Sequence, residues 1–251
     1  MKKLLLAGLI VFTFSSCAEL LQVANTLGTS GLPVSEAENS AGLKSSLDVG
    51  IVNAVNILGA ENGFMNDAVL KILLPPEAKP IIDNLKLIPG GQDLVNRAIL
   101  SLNRSAEDAV KEATPIFKRA ITSMSIQDAT GILFGGENAA TNYLKKKTYT
   151  DLVNAFAPKV ANSLSKPLVA NLSTNESWNS LTSAYNQVAK SPVGVIGNMK
   201  PINVNLETYV TQKALDALFT KVAYEENLIR KDPKARVNTI LQRVFGQLDN
   251  R

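Results

Sequence analysis

The sequence predicts an all-α protein, a single bundle-like domain of several helices. Two observations support this prediction. Apolar residues recur every three or four positions through most of the chain, which gives a helix one apolar face. Small polar residues stand before several of these stretches, often with an acidic residue three positions later, as at a helix N terminus. The strict alternation of half-buried strands is rare.

The first half of the chain is predicted to hold five helices and one extended segment. Ser35 and Glu38 form a capping-box pattern, which opens a helix that ends near Leu58. Residues 69–75 fit either a short strand or a buried extended segment, and Pro75 ends it. The further helices are predicted over 77–87, 93–114, 116–124 and from a cap at Ser125 to Gly135–Gly136.

The second half is divided by further capping patterns and by prolines. The run Thr148–Asp151 predicts that one helix ends and the next begins there, and Pro158 predicts a kink or break. Ser173 and Glu176 form another capping box. The helices predicted here cover 139–147, a segment from Leu152 to Leu164, 174–189, 205–231 and a last one opened by Asp232–Pro233.

The N-terminal residues predict a bacterial lipoprotein. Two lysines are followed by the apolar run Leu4–Phe14, two serines and Cys17, the only cysteine of the chain. The run is shorter than the roughly 20 apolar residues that span a bilayer, so we expect it to be removed. An ordinary secretory peptide cut near Ser16 is the alternative, but it leaves an unpaired thiol in an oxidising compartment. Acylation of Cys17 explains the residue better.

This interpretation divides the chain into three parts and gives it a location. We expect a signal peptide over 1–16, a lipid anchor and tether over 17–34, and a helical domain over 35–251. The protein would be held by lipid in the bacterial envelope and face the periplasm. Ala18 favours the outer membrane, because an aspartate at that position favours inner-membrane retention in enteric-type bacteria.

The composition excludes several kinds of chemistry. The chain has no histidine, and after acylation of Cys17 it has no free thiol, so Ser-His-Asp and Cys-His catalysis and histidine-ligated zinc are excluded. The net charge is +4, and it falls to +2 when Lys2 and Lys3 leave with the signal. We therefore expect no cofactor and no nucleic-acid partner. Lys145–Lys147 is the one basic run of the mature chain; it either lies at a helix C terminus, where cations are favoured, or forms a patch for phosphate or anionic lipid.

Five polar residues are candidates for ligand binding. Asn103 falls within the apolar stripe of its helix, where an amide must find partners, and Arg104 and Glu107 flank it. Asn103 either bridges helices or contacts a ligand, and Arg104 is placed to pair with Asp108 four residues on. The full set of candidates is Asn103, Arg104, Glu107, Glu226 and Arg230.

Two adjacent glutamates lie toward the inner side of the long C-terminal helix. Glu226 is four residues before Arg230, so the two side chains are expected to pair. A buried carboxylate here would act as an acid if its pKa were raised, or as a salt bridge to Arg230 or Arg236. Glu225 has the same alternatives. Thr141 and Tyr143 either face a pocket or pack between helices.

Several sequence blocks resemble an uncharacterised bacterial family known as domain-of-unknown-function family 4197. The resemblance covers about Gly42 to Phe245 and is most specific in Asn103–Glu107 and Leu215–Pro233. Ala217 stands where the family usually has glycine. The resemblance implies an exported, helical and often lipidated protein, and it implies no activity, ligand or catalytic residue.

Two functions are compatible with these observations. The first is a non-enzymatic binding or scaffold domain for a protein or a hydrophobic ligand; a lipid ligand would require an apolar cavity of several hundred Å³. The second is a carboxylate-dependent envelope hydrolase or lyase, such as a peptidoglycan-cleaving enzyme, using Glu107, Glu225 or Glu226 in an open cleft. This enzyme requires no histidine, so the composition allows it.

Overall fold

The computed structural model describes residues 33–249. The predicted signal peptide, Cys17 and nearly all of the tether lie outside the described residues. Within them the chain forms ten α-helices, which confirms the all-α class. They are α1 Glu36–Leu58, α2 Lys79–Asp83, α3 Gly91–Val110, α4 Thr114–Thr122, α5 Ile126–Leu133, α6 Ala139–Ser165, α7 Thr174–Ala189, α8 Pro192–Ile196, α9 Leu206–Lys231 and α10 Thr239–Phe245.

Helix α1 is the centre of the domain. It contacts α4, α5, α9 and α10. Small residues on α1 let its neighbours approach closely: a methyl group added at Gly42 would stand 2.6 Å from Val244 of α10, and one at Gly50 would stand 3.3 Å from Glu225 of α9. The large apolar residues on the same helix are buried in the core; they are Leu43, Leu47, Ile51, Val55 and Leu58.

Helix α3 packs against α6 and α7 through short polar side chains as well as apolar ones. The Ser105 and Thr174 hydroxyls are 2.7 Å apart, and Thr174 also donates to the carbonyl of Ser101. Ser105 and Thr174 are buried, so these bonds satisfy groups that water does not reach. The interface therefore has a defined register as well as apolar contact.

Residues 69–75 form no strand. Within residues 33–249 the β-type pairing is one isolated bridge, between Val169 and Leu172. The carboxylate of Asp67 accepts hydrogen bonds from the backbone N–H groups of Val69 and Leu70, and residues 71–75 are irregular. A strand needs a neighbouring backbone to pair with, and a side chain takes that place here, as described below.

The predicted helix boundary at 148–151 is wrong, because α6 continues through it from Ala139 to Ser165. The Thr148 hydroxyl donates to the Leu144 carbonyl inside the helix and so caps nothing. Pro158 also lies within α6; the carbonyl it leaves without a donor belongs to exposed Asn154. Lys145–Lys147 consequently lie in the middle of a helix and do not complement a helix C terminus.

Three other boundaries also differ from the predictions. The segment predicted as a helix over 77–87 is α2 flanked by two short 3₁₀ turns. The predicted helix 93–114 ends at Val110, and α4 begins at Thr114 with Pro115 in its first turn. Asp232 caps only a 3₁₀ turn, and the last helix starts later, where the side chain of Asn238 caps α10.

Candidate functional site

Asn103 lies fully buried on α3 and takes the role of a strand partner for residue 72. Its Oδ1 accepts a hydrogen bond from the Ile72 N–H at 2.9 Å, and its Nδ2 donates to the Ile72 carbonyl at 2.8 Å. The same Nδ2 also donates to the Ile99 carbonyl at 2.7 Å. All of these partners are backbone groups of the protein, so Asn103 is a structural bridge.

Arg104 and Glu107 hold the loop that follows α1. Arg104 Nη1 donates to Glu107 Oε2 at 2.5 Å, and its Nη2 donates to Glu61 and Asn62 at 3.1 and 3.0 Å. The other oxygen of Glu107, Oε1, accepts from the Phe64 N–H at 3.3 Å. Asn62 has a left-handed backbone, with φ of 66°. Asparagine tolerates this conformation better than most residues, so the sharp turn suits its sequence.

The predicted Arg104–Asp108 pair does not form. Asp108 accepts hydrogen bonds from Ser163 and Lys166 instead, both at 2.6 Å, and so fastens the C-terminal end of α6. Partial burial raises the pKa of Asp108, but the bonds from Lys166 and Ser163 outweigh it, and the pKa lies below its usual value. The prediction was wrong because Arg104 reaches sideways to the loop and not along its own helix.

Glu226 caps the N terminus of α6 from a different helix. Its Oε1 accepts from the Ala140 N–H at 3.0 Å, and its Oε2 accepts from the Thr141 N–H at 2.8 Å and the Thr141 hydroxyl at 2.7 Å. The residue before α6, Asn138, provides no side-chain cap. The first N–H groups of a helix lack internal partners and favour a nearby negative charge. Glu226 provides both the hydrogen-bond acceptors and the charge.

Arg230 binds the C-terminal end of a helix, whereas Glu226 caps an N-terminal end. Its Nε donates to Glu226 Oε1 at 2.8 Å, which confirms the predicted pair. Its two terminal nitrogens donate to the carbonyls of Ile132 and Leu133, the last residues of α5. Both Glu226 and Arg230 are buried. One ion pair on α9 therefore joins the end of α5 to the start of α6.

Glu225 and Arg236 were the other residues for which a salt bridge was predicted, and each contacts a different partner. Glu225 is half-buried and accepts one bond, from Asn53 Nδ2 at 2.7 Å. Arg236 does not reach either glutamate. It donates to the backbone carbonyls of Ile229 and Arg230 and forms a two-point pair with Asp249. The hydrogen bond from Arg236 lowers the pKa of Asp249.

The five candidate residues thus form two separate groups. Asn103, Arg104 and Glu107 bind the segment 61–72 to α3, whereas Glu226 and Arg230 join α5 and α6 to α9. Each carboxylate already has a charged arginine and backbone N–H donors. A general acid in an open cleft needs a free side to face a substrate. The described contacts leave neither glutamate arranged in that way.

A groove with an open side runs between α4 and α6, with a volume of about 500 Å³. Buried apolar residues form its floor, and the charged residues Arg119, Lys147 and Asp151 line its edge. Neither Arg119 nor Lys147 forms an ion pair with another described residue. The apolar floor consists of Ile116, Met124, Leu144 and Leu152.

Tyr143 also lines this groove, and its hydroxyl is hydrogen-bonded to an aspartate. Its hydroxyl donates to Asp128 Oδ2 at 2.6 Å, and Ser125 donates to the same oxygen. Burial and the Asp128 carboxylate raise the pKa of Tyr143 to about 12. The hydrogen bonds from Ser125 and Tyr143 lower the pKa of Asp128. The two groups therefore keep their ordinary charge states over a wide pH range.

Sequence reasoning missed the groove because it divided α6 at 148. On one continuous helix, Leu144, Thr148 and Leu152 form a row at four-residue spacing, and Tyr143, Lys147 and Asp151 form the next row. Those two rows are the α6 wall of the groove. Nothing in the sequence indicates that the backbone N–H groups of Phe64 and Ala140 are the partners of Glu107 and Glu226.

Residues 33–249 contain no group of three or more His, Cys, Asp and Glu side chains placed to hold a metal ion. In the same residues, no helix has both the length and the apolar character required to cross a membrane.

Fold and contacts together define a class of protein: an all-helical domain whose buried polar residues brace its own backbone. The chain belongs to the family described as "Protein of unknown function (DUF4197)", whose model matches residues 33–246. No curated protein and no solved structure matches the chain. Within the match, Asn103–Glu107 contains the first of the two groups of candidate residues, and Leu215–Pro233 contains Glu226 and Arg230.

Proposed function

We propose that this protein is a non-enzymatic, ligand-binding lipoprotein of the bacterial envelope. It is anchored by acylated Cys17 in the outer membrane and presents residues 35–251 to the periplasm. The lysines, the apolar run Leu4–Phe14 and the single cysteine that follows support the anchor. Two or more acyl chains hold a protein at a membrane without a spanning helix.

The saturated bonding of Glu107 and Glu226 is the observation that favours binding over catalysis. Glu226 accepts four hydrogen bonds, from Ala140, from Thr141 twice and from Arg230. Breaking such a group to protonate a substrate would leave Arg230 buried and unpaired, at a cost of several kcal/mol. The hydrolase alternative therefore has no well-placed acid among these residues.

The groove between α4 and α6 offers a place for a ligand. Its volume lies in the range of small-molecule sites, which is about 300–1,000 Å³. Its floor is apolar and its edge carries Arg119 and Lys147, with Asp151 as the acid on the same edge. This combination fits an amphiphile that has an apolar chain and an acidic head group.

Binding to the groove is tested with a fluorescent fatty acid, cis-parinaric acid, added to the purified protein. We expect saturable binding that weakens in Ala155→Trp, which fills the groove, and in Arg119→Glu, which reverses a charge on its edge. Arg97→Glu is the matched control, since Arg97 is exposed on α3. Equal binding by all four proteins would exclude the groove.

The anchor is tested separately, by intact-mass measurement of the protein purified from bacterial membranes. The expected mass is that of residues 17–251 plus diacyl- or triacylglyceryl modification, and Cys17→Ala should lose both processing and membrane association. An unmodified Cys17 would refute the anchor. Zymography on peptidoglycan tests the alternative: lytic activity that Glu107→Gln or Glu226→Gln abolishes would establish an enzyme.

A further inference from the structure

Helix α8 presents three large apolar side chains to solvent. Val193, Val195 and Ile196 are 60%, 69% and 87% exposed. Ile196 is the most exposed large apolar residue among residues 33–249. Clustered exposure of this kind marks an interaction surface more often than single scattered residues do.

The fold holds this helix firmly in place. Ser191 caps it by accepting from the Gly194 N–H at 3.3 Å, and Gly194 itself is buried against the end of α7. A methyl group at Gly194 would stand 2.2 Å from the Val188 carbonyl, so only glycine permits this contact. The apolar side chains are therefore held outward by a fixed backbone and do not belong to a loose loop.

A second segment extends the same surface. Leu87 and Pro89 line a shallow groove together with Val188 and Val193, so the loop before α3 lies beside α8. Leu87 is itself about half exposed. We call Leu87, Pro89, Val193, Val195 and Ile196 the α8 face.

On the α8 side, the charges around the α8 face are of one sign. The 30 residues from Ser177 to Leu206 contain no aspartate or glutamate and two lysines, Lys190 and Lys200. Both lysines are exposed, and neither forms an ion pair with another described residue. On the Leu87 side the charges are mixed: Lys86 and Asp93 are both exposed, and Asp83 is paired with Lys79.

We propose that the α8 face inserts into the head-group region of an anionic bilayer. Exposed aliphatic side chains flanked by lysines are the pattern of interfacial membrane binding, in which apolar contact and attraction to anionic lipids add together. A protein partner of matching shape would need acidic groups to meet Lys190 and Lys200, and a lipid surface provides these without a specific fit.

The length of the chain ahead of the domain permits this contact. Fifteen residues lie between Cys17 and Pro33, and the sixteen steps from one to the other, fully extended, reach about 55 Å. Helix α1, with 23 residues, is about 35 Å long. This reach exceeds the length of α1, so an anchor at Cys17 is long enough to allow the α8 face to contact the membrane. The proposal uses the anchor only for proximity, and its test does not require acylation.

The test places a tryptophan on the face and reads its surroundings. The native Trp178 is 5% exposed, so it adds a constant, buried signal. The full chain is purified as the cell produces it, and Ile196→Trp is mixed with vesicles of phosphatidylethanolamine and phosphatidylglycerol. We expect a blue-shifted emission and strong quenching by brominated acyl chains. Val237→Trp is the matched control, because Val237 is 67% exposed away from the α8 face and carries the same N terminus.

Charge reversal of the two lysines is the second part of the test. Lys190→Glu with Lys200→Glu, introduced into the Ile196→Trp protein, should abolish the quenching in these vesicles, since each lysine near an anionic surface strengthens binding about fivefold. Lys146→Glu with Lys234→Glu makes the same change of charge on other exposed residues and should leave the quenching intact.

Three outcomes would overturn the proposal. Equal quenching of the Ile196→Trp and Val237→Trp proteins would show that the α8 face has no special contact with lipid. A blue shift without vesicles that grows with protein concentration would show that a second copy covers the face. Quenching in phosphatidylcholine vesicles as strong as in the anionic ones would refute the charge preference. None of these results bears on acylation of Cys17 or on the α4–α6 groove.

Discussion

Glu226 and Arg230 form an ion pair at 2.8 Å, and each of them also caps a different helix. The glutamate satisfies the first N–H groups of α6, and the arginine satisfies the last carbonyls of α5. Carboxylate and guanidinium each stand at the helix end whose partial charge they complement. One turn of α9 thus fixes how α5 leads into α6.

Replacement of Glu226 by alanine should destabilise the domain strongly. It removes the cap of α6 and leaves Arg230 buried without its partner, a change that costs about 3–5 kcal/mol in comparable buried pairs. Urea unfolding followed by circular dichroism measures the loss. Glu225→Ala is the control on the same helix, since Glu225 is half-buried with one bond, and we expect a loss of about 1 kcal/mol or less. Equal losses in the two variants would contradict the bracing role.

Asn103→Leu should also lower the free energy of unfolding. Leucine fits the apolar stripe of α3 but leaves the N–H and carbonyl of Ile72 unpaired, at about 1–3 kcal/mol for each group. Asn96→Leu is the control on the exposed side of the same helix and should change stability by about 0.5 kcal/mol or less. Thermal unfolding measures both. An unchanged midpoint for Asn103→Leu would mean that the bridge to Ile72 contributes nothing.

Gly42→Ala should destabilise the contact between α1 and α10. The added methyl group would lie 2.6 Å from Val244, so one helix must shift, at a cost of about 1–3 kcal/mol. Val244→Ala in the same protein should recover part of the loss, which a double-mutant cycle measures. Gly131→Ala is the opposite control: beyond its chain neighbours and its own helix backbone, no atom lies within 4 Å of the new methyl group, and alanine favours a helix by up to about 1 kcal/mol.

Tyr143 should give the protein a stability component that is lost at high pH. Its pKa rises from an unfolded value near 10 to about 12 in the folded protein. A raised folded pKa gives stability that is complete below the unfolded value and disappears as the pH climbs through the folded value. The wild type should therefore lose more stability between about pH 10 and 12 than Tyr143→Phe does. Parallel pH profiles for the two proteins would refute the prediction.

The buried residues of the helices could be predicted from the sequence, while several helix boundaries could not. Spacing alone placed Leu43, Leu47, Ile51 and Leu58 in the core, and all four are buried. The division of α6 at Thr148 failed because a capping pattern is a weak local preference. Burial of Leu144, Leu152 and Phe156 along one continuous face outweighs it.

The partners of the polar candidates could likewise be predicted only in part. The Glu226–Arg230 pair was predictable, because both partners lie four residues apart on one helix. The partners of Asn103, Arg104 and Glu107 were not, since Ile72, Asn62 and Phe64 lie 31 to 43 residues away and two of them use backbone atoms.

By itself the sequence determined the all-α class, the family and the set of polar residues that must find partners. These follow from local periodicity and from the cost of burying an unpaired polar group. Only the tertiary structure decided which distant partners they find, where the α4–α6 groove lies and which apolar side chains stay outside the core. Those features depend on contacts between segments far apart in the chain, and the local spacing of apolar residues does not indicate such contacts.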